Sequence, residues 1–203
     1  IAIGQAKQEI IRMGEYSVQG LQEAMQHINT YDKKHVNTAT QIEEAINSLD
    51  QKTTEYLVAI SKQSLSGHDS KVHNALLENI RDIERIGDHM ENLFELIEFI
   101  ENNGAQLSED AMQELIDMLE LVVETVSLAI QSLDQLDVDA AKKVLANEDQ
   151  IDDMERKLRK HHIKRLNEGT CTGSAGVIFV DIISNLERVG DHAANIAESV
   201  IDL

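Results

Sequence analysis

Twelve residues constrain this chain more than any others. Glu84-Arg85-Ile86-Gly87-Asp88-His89-Met90-Glu91-Asn92-Leu93-Phe94-Glu95 returns as Glu187-Arg188-Val189-Gly190-Asp191-His192-Ala193-Ala194-Asn195-Ile196-Ala197-Glu198. Seven of the twelve positions are identical, at an offset of 103 in a chain of 203 residues. A repeat at half the chain length means an internal duplication, so the fold must be two copies of one unit.

The unit is helical. Both copies lie in long periodic segments, and the chain has no Pro, which would break helix interiors. Aromatic residues are 3% and strand-like runs are scarce. The periodicity predicts helices over Ala2–Ile28, Asn37–Leu65, about Asp69 or Ser70 to Asn102, Ser108 to Leu136, Asp137 or Asp139 to Asn167, and, after a loop over Glu168–Gly173, a last helix to the end. Ser66-Gly67 reads as the C-terminal signal of the second helix. Helices of this kind span about 45 Å. Short loops make successive helices antiparallel neighbours. The expected fold class is therefore all-α, with two tandem antiparallel three-helix bundles, residues 1–103 and 104–203. The halves align throughout. Met13 to Asp32 matches Met118 to Asp137 at an offset of 105, and Leu49-Asp50 matches Ile151-Asp152 at 102. Shifts of this size are expected from loop insertions.

On a helix, Glu84, Asp88 and Glu95 share a face beside the apolar stripe of Ile80, Ile83, Gly87, Met90, Phe94 and Ile97. Glu187, Asp191 and Glu198 repeat the arrangement. Carboxylates at i and i+4 repel each other, by a few tenths of a kcal/mol, and a cation between them reverses the sign. Oxygen-only donors suit Mg²⁺, Ca²⁺, Mn²⁺ or iron. Gly inside a helix costs about 1 kcal/mol relative to Ala, yet Gly precedes the Asp in both copies, which implies a close approach there. One Glu-x3-Asp alone is most often a solvated surface pair; two in matched context are a candidate site. Helix five adds Glu148 and Asp152, which antiparallel packing would bring to Glu187 and Asp191. In the first half, aligned at 102, Ile46 takes the place of Glu148 and Asp50 that of Asp152.

Charge narrows the function. The formal charge is −19, from 37 acidic and 18 basic residues. That disfavours nucleic acid and anionic membrane surfaces. The single Cys171 excludes an internal disulfide and lies on a loop without an evident base. No apolar run has the length of a membrane span. A start at Ile1, already helical, suggests a piece of a longer protein. His89 and His192 read as packing or hydrogen-bonding residues rather than ligands. His161-His162 sits in a basic patch at a helix end, where cations favour the helix dipole. A di-iron carboxylate enzyme would need Glu-x-x-His pairs, and no His here has Glu three residues before it. Apart from Arg85 and Arg188 there is no phosphate clamp, so no catalytic residue is assigned.

The duplicated Glu-Arg-[Ile/Val]-Gly-Asp-His-x2-Asn in an acidic all-helical chain resembles the PhoU family, over essentially the whole length. The resemblance implies two similar three-helix bundles and a non-enzymatic regulatory role in phosphate uptake. It implies multinuclear metal clusters on Glu/Asp-x3-Asp pairs, with iron, zinc or manganese as the cofactor. Carried over, the metal ligands would be Glu84 with Asp88, Glu148 with Asp152, and Glu187 with Asp191. The fourth pair reduces to Asp50, because Ile46 breaks it. The implied partner is a phosphate transporter membrane domain, in the same polypeptide or another, or a sensor kinase, with a homodimer as a further expectation. The implied location is cytoplasmic, tethered at the inner membrane face if this is the C-terminal part of a sodium/phosphate cotransporter-like protein. The rival reading is a metal-free helical adaptor whose acidic faces only solubilise it.

Overall fold

The structure, a computed structural model, describes residues 2–203. Six helices make up the fold: α1 Ala2–Thr30, α2 Lys33–Ser61, α3 Gly67–Asn102, α4 Glu109–Gln135, α5 Val138–Asn167 and α6 Gly173–Asp202. Among the described residues there is no strand. The architecture is the expected pair of three-helix bundles, α1–α3 and α4–α6.

Helix starts are set by side chains that satisfy otherwise unpaired backbone N–H groups. Asp32 accepts from the Lys34 amide and Asp137 from the Ala140 amide. Ser66, Ser108 and Thr172 accept from the amides of Asp69, Ala111 and Ala175. Two expected boundaries are corrected. Capped by Asp32, α2 begins at Lys33, four residues before Asn37, and it ends at Ser61. Ser66-Gly67, expected to close α2, instead opens α3, because the Ser66 hydroxyl caps it. The turns after α1 and α4 are duplicates: Tyr31 and Leu136 both stand in the left-handed region, at φ 53° and 51°.

Each helix buries one stripe, and together the stripes form a single core running through both halves. Helices α1 and α3 pack on each other and on α2, and α4 and α6 do the same with α5. The halves join through α1 against α4 and α3 against α6, while α2 and α5 touch only helices of their own half. At Gly14, on α1, a methyl group would collide with Ile130 of α4, so the missing side chain permits that approach.

The small offsets between halves arise inside helices, not in loops as expected. The connections 62–66 and 168–172 are equal in length. Helix α2 has 29 residues and α5 has 30. Helix α3 takes 17 positions from Gly67 to Glu84, against 14 from Gly173 to Glu187 in α6. No helix of the described residues is long and apolar enough to cross a membrane.

Candidate metal centre

The register of α2 against α3 decides which residues meet. Fully buried Ile151 packs on Gly190, its Cδ1 and Cγ2 lying 3.2 and 3.3 Å from where a Cβ would stand. In the first half it is fully buried Ile46 that packs near Gly87, with Cδ1 at 3.7 Å. Ile46 is thus the counterpart of Ile151, at the same 105 offset that relates the caps Asp32 and Asp137. The alignment of Ile46 with Glu148 is corrected accordingly. Glu43 is the counterpart of Glu148, Asn47 of Asp152, and Asp50 of Glu155.

In the second half, α5 and α6 bring the expected residues together. One oxygen from each of Glu148, Asp152 and Asp191 lies within 4.8 Å of the others. Glu187 stands beside them, close enough to Asp191 and Asp152 to be raised by both. Burial, then hydrogen bonds to Asp152 and Asp191, then their charges, push Glu148 up to about 8. Burial and the neighbouring Asp191 push Glu187 up to about 7. These carboxyls hold protons near neutrality because their charges have nowhere to go. The Oδ1 of Asp152 is buried without a hydrogen-bond partner.

The first half builds its group differently. Glu43, Asp88 and Glu91 bring oxygens within 4.8 Å of one another. Burial, then Glu91, Asp88 and Glu84, push Glu43 up to about 7. Glu84 is raised by burial, Asp88 and Asp50. The Oε2 of Glu43 is buried and unpartnered. Asn47 on α2 removes the carboxylate that Asp152 supplies on α5. Glu91 on α3, where α6 has Ala194, restores one. Each half therefore gathers four carboxylates: Glu43, Glu84, Asp88 and Glu91, and Glu148, Asp152, Glu187 and Asp191. Asp50 lies near enough to raise Glu84, outside the three converging oxygens, and takes a hydrogen bond from Thr54 at 3.1 Å. Glu43 and Glu91 escape a search for Glu-x3-Asp. Carrying the 105 offset from the cap Asp through helix two is the signal that finds Glu43.

The donor chemistry fits a hard cation. Two buried oxygens lack any partner, and each group concentrates like charge that a cation would neutralise.

The other conspicuous motif residues point elsewhere. His89 Nδ1 meets Asn185 Oδ1 at 2.9 Å, and His192 Nδ1 meets Asp82 Oδ1 at 3.0 Å. Asn92 donates to Asn185 and Asn195 to Asp82. Asp82 and Asn185 stand at equivalent positions, so the His and Asn of each motif copy clasp the other half across the α3–α6 seam. Part of the basic patch on α5 turns inward. His161 pairs with Glu114, which also receives Arg165 at 2.7 Å, and His162 stacks on Phe179.

Known proteins align with this chain along its length. The PhoU domain family model matches residues 10–97 and again 115–200. The phosphate-specific transport system accessory protein PhoU homolog 1 of Thermotoga maritima is 26% identical over 205 residues, covering 96% of this chain and 84% of the relative. The PhoU homolog of Xylella fastidiosa strain 9a5c is 29% identical over 195 residues, covering 96% and 81%. The crystal structure of PhoU from Pseudomonas aeruginosa superposes with a TM-score of 0.92 at 21% identity, covering 98% of this chain and 95% of that one. The phosphate transport system regulatory protein PhoU from Streptococcus pneumoniae gives 0.86 at 20%, covering 98% and 93%.

Proposed function

Because this chain belongs to the PhoU family, we propose that it is a regulatory accessory domain of phosphate transport which holds metal ions on its two carboxylate groups and docks on a transporter or sensor partner. The relatives' role in phosphate-specific transport supports the first part. The convergence of three carboxylate oxygens in each half, with a fourth carboxylate beside them and a buried oxygen lacking a partner, supports the second.

Glu148 and Asp152 from α5 would hold metal with Glu187 and Asp191 from α6. Glu43 from α2 would do so with Glu84, Asp88 and Glu91 from α3. All donors are carboxylate oxygens, which suit iron or manganese better than zinc with its preference for His and Cys. A bound cation would supply positive charge on a strongly acidic surface, and with it a seat for an oxyanion such as phosphate. The residues' own part is to hold the cation against burial and to release protons on loading. The role is regulatory rather than catalytic.

Metal analysis of protein purified without chelator or nickel resin tests this, beside Glu187→Ala/Asp191→Ala. More than one equivalent of iron, manganese or zinc in the parent, reduced in the variant, is expected, together with altered control of phosphate uptake by the variant. No metal in the parent and normal uptake control in the variant would leave the metal-free adaptor as the better reading.

A further inference from the structure

We propose that the groove between the end of α3 and the start of α6 docks a basic amphipathic segment of a partner protein, its apolar side chains seated on Leu96, Phe99, Val177 and Ile178. The inference rests on the docking role proposed above and deepens it, by naming one contact surface and the chemistry that fits it.

The duplication supplies an internal control. Helices α3 and α6 run antiparallel across the seam, so the seam carries two grooves, one toward each end. The first is lined by Arg81, Arg85, Ser199 and Asp202 among others, and is polar. The second is apolar. At the 103 offset, Ser199 corresponds to Leu96 and Asp202 to Phe99. Asn74 corresponds to Val177 and Ala75 to Ile178. At Ser199, Asp202 and Asn74 the same backbone arrangement carries polar residues, so the fold does not need the apolar side chains of Leu96, Phe99 and Val177, whereas Ile178 belongs to the core.

Phe99 and Val177 lie partly in water, 46% and 63% exposed, while Ile178 forms the buried floor beneath them. Two exposed apolar side chains in one groove of 630 Å³ offer seats for two or three partner side chains. An amphipathic helix seated along such a groove is a recurrent recognition mode.

Charge selects the occupant. Glu95 and Asp181 stand in this groove, and no Lys or Arg lines it. The chain carries −19 overall. A segment with Lys or Arg beside its apolar face complements that field. A second copy of this chain would set acidic rim on acidic rim, and an anionic lipid surface would be repelled.

The test uses the full chain and a fluorescent 18-residue synthetic helix with Leu on one face and Lys on the other, read by anisotropy. Two control peptides carry Glu for Lys, or Ser for Leu. Phe99→Asp/Val177→Asn copies Asp202 and Asn74, the residues at the equivalent positions of the repeat, and is expected to fold like the parent, checked by thermal melting. The parent is expected to bind the Leu/Lys helix at least tenfold more tightly than either control. The double variant is expected to lose at least tenfold, although it is the more acidic protein. Unchanged binding by the variant would reduce the association to diffuse attraction by an acidic chain and overturn the proposal. So would equal binding of the Leu/Glu helix, or a dimer of the parent that the same variant abolishes in light scattering. Metal content on the same samples reports on the carboxylate groups and not on the groove, so the two proposals fail separately.

Discussion

His89 and His192 stack on each other across the α3–α6 seam, ring centroids 5.7 Å apart and planes 28° from parallel. They occupy the same place in the two motif copies, yet their partners differ. His89 meets the neutral amide of Asn185, and His192 meets the carboxylate of Asp82. Burial lowers His89 below the ordinary value, the hydrogen bond with Asn185 opposes this, and the nearby His192 and Arg188 add to the lowering. Two charged rings in a stack would repel, which is the direction of the lowering at His89.

Asp82 serves both His192 and Asn195, so its removal leaves the largely covered His192 without a partner in the seam, while exposed Asn195 turns to water. Asp82→Ala is expected to destabilise the protein by about 1–3 kcal/mol, and Asp82→Asn by less, about 0.5–1 kcal/mol. The smaller figure follows because Asn185 already does the same work for His89 and Asn92. Urea unfolding checks this. Equal losses in the two variants would show that charge, not hydrogen-bond capacity, holds the seam.

The two motif glycines face different neighbours and should respond differently to Ala. At Gly190 the new methyl meets two branches of buried Ile151, at 3.2 and 3.3 Å. Ile151 is rigid and enclosed, so overpacking of about 1–3 kcal/mol outweighs the gain of about 1 kcal/mol from helix propensity. At Gly87 the methyl meets Glu43 Oε2, at 3.0 Å, the far end of a flexible side chain. Gly87→Ala is expected to keep or raise thermal stability while displacing the Glu43 carboxylate. Thermal melts of both variants decide it, and a lower midpoint for Gly87→Ala than for Gly190→Ala would reverse the assignment of neighbours.

Local signals in the sequence located every helix, because apolar spacing and the missing Pro leave few alternatives. Which pairs of carboxylates meet was only half legible. Glu148, Asp152, Glu187 and Asp191 sit at i and i+4 on two helices, and their convergence follows from antiparallel packing. The first half breaks that spacing. Glu43 has Asn47 four residues on, and its group draws a third carboxylate, Glu91, from α3. Spacing along one helix carries no trace of a donor exchanged between helices. The seam roles of Asp82 and Asn185 were hidden for the same reason, since they lie outside the repeated twelve residues.

Removing metal should leave a pH signature. Glu43 and Glu187 are raised from 4.5 to about 7, and Glu148 from 4.5 to about 8. The folded state therefore holds these protons more tightly than the unfolded chain. Their contribution to stability is full below about 4.5 and is lost as pH rises through about 7 to 8. Chelated protein is expected to lose stability in urea between pH 5 and pH 8.5, with a flatter profile in Glu148→Gln. Metal uptake runs the other way, because loading displaces those protons, so affinity for Mn²⁺ should rise over the same window. A metal-free profile that is flat, or that rises with pH, would mean that these carboxyls ionise freely in the fold.

The sharpest division lies between Glu43 and Asp50, which both stand on α2 near α3. On the proposed metal role, the repeat aligned at 102 would make Asp50 the ligand, and the packed register would make it Glu43. Glu43 brings a buried, unpartnered oxygen to Asp88 and Glu91. Asp50 already accepts from Thr54 and reaches the group only through its field on Glu84. Glu43→Gln keeps the shape and removes the charge, so metal retained by the first half should fall at least tenfold in affinity. That corresponds to the roughly 1.4 kcal/mol or more expected when a charged donor is replaced by a neutral one. Asp50→Asn should change it less than threefold. Both are measured by Mn²⁺ titration in a Glu187→Ala/Asp191→Ala background, where the second half is silent. If Asp50→Asn proves the more damaging, the 102 alignment and not the packed register names the residue on α2 that metal needs.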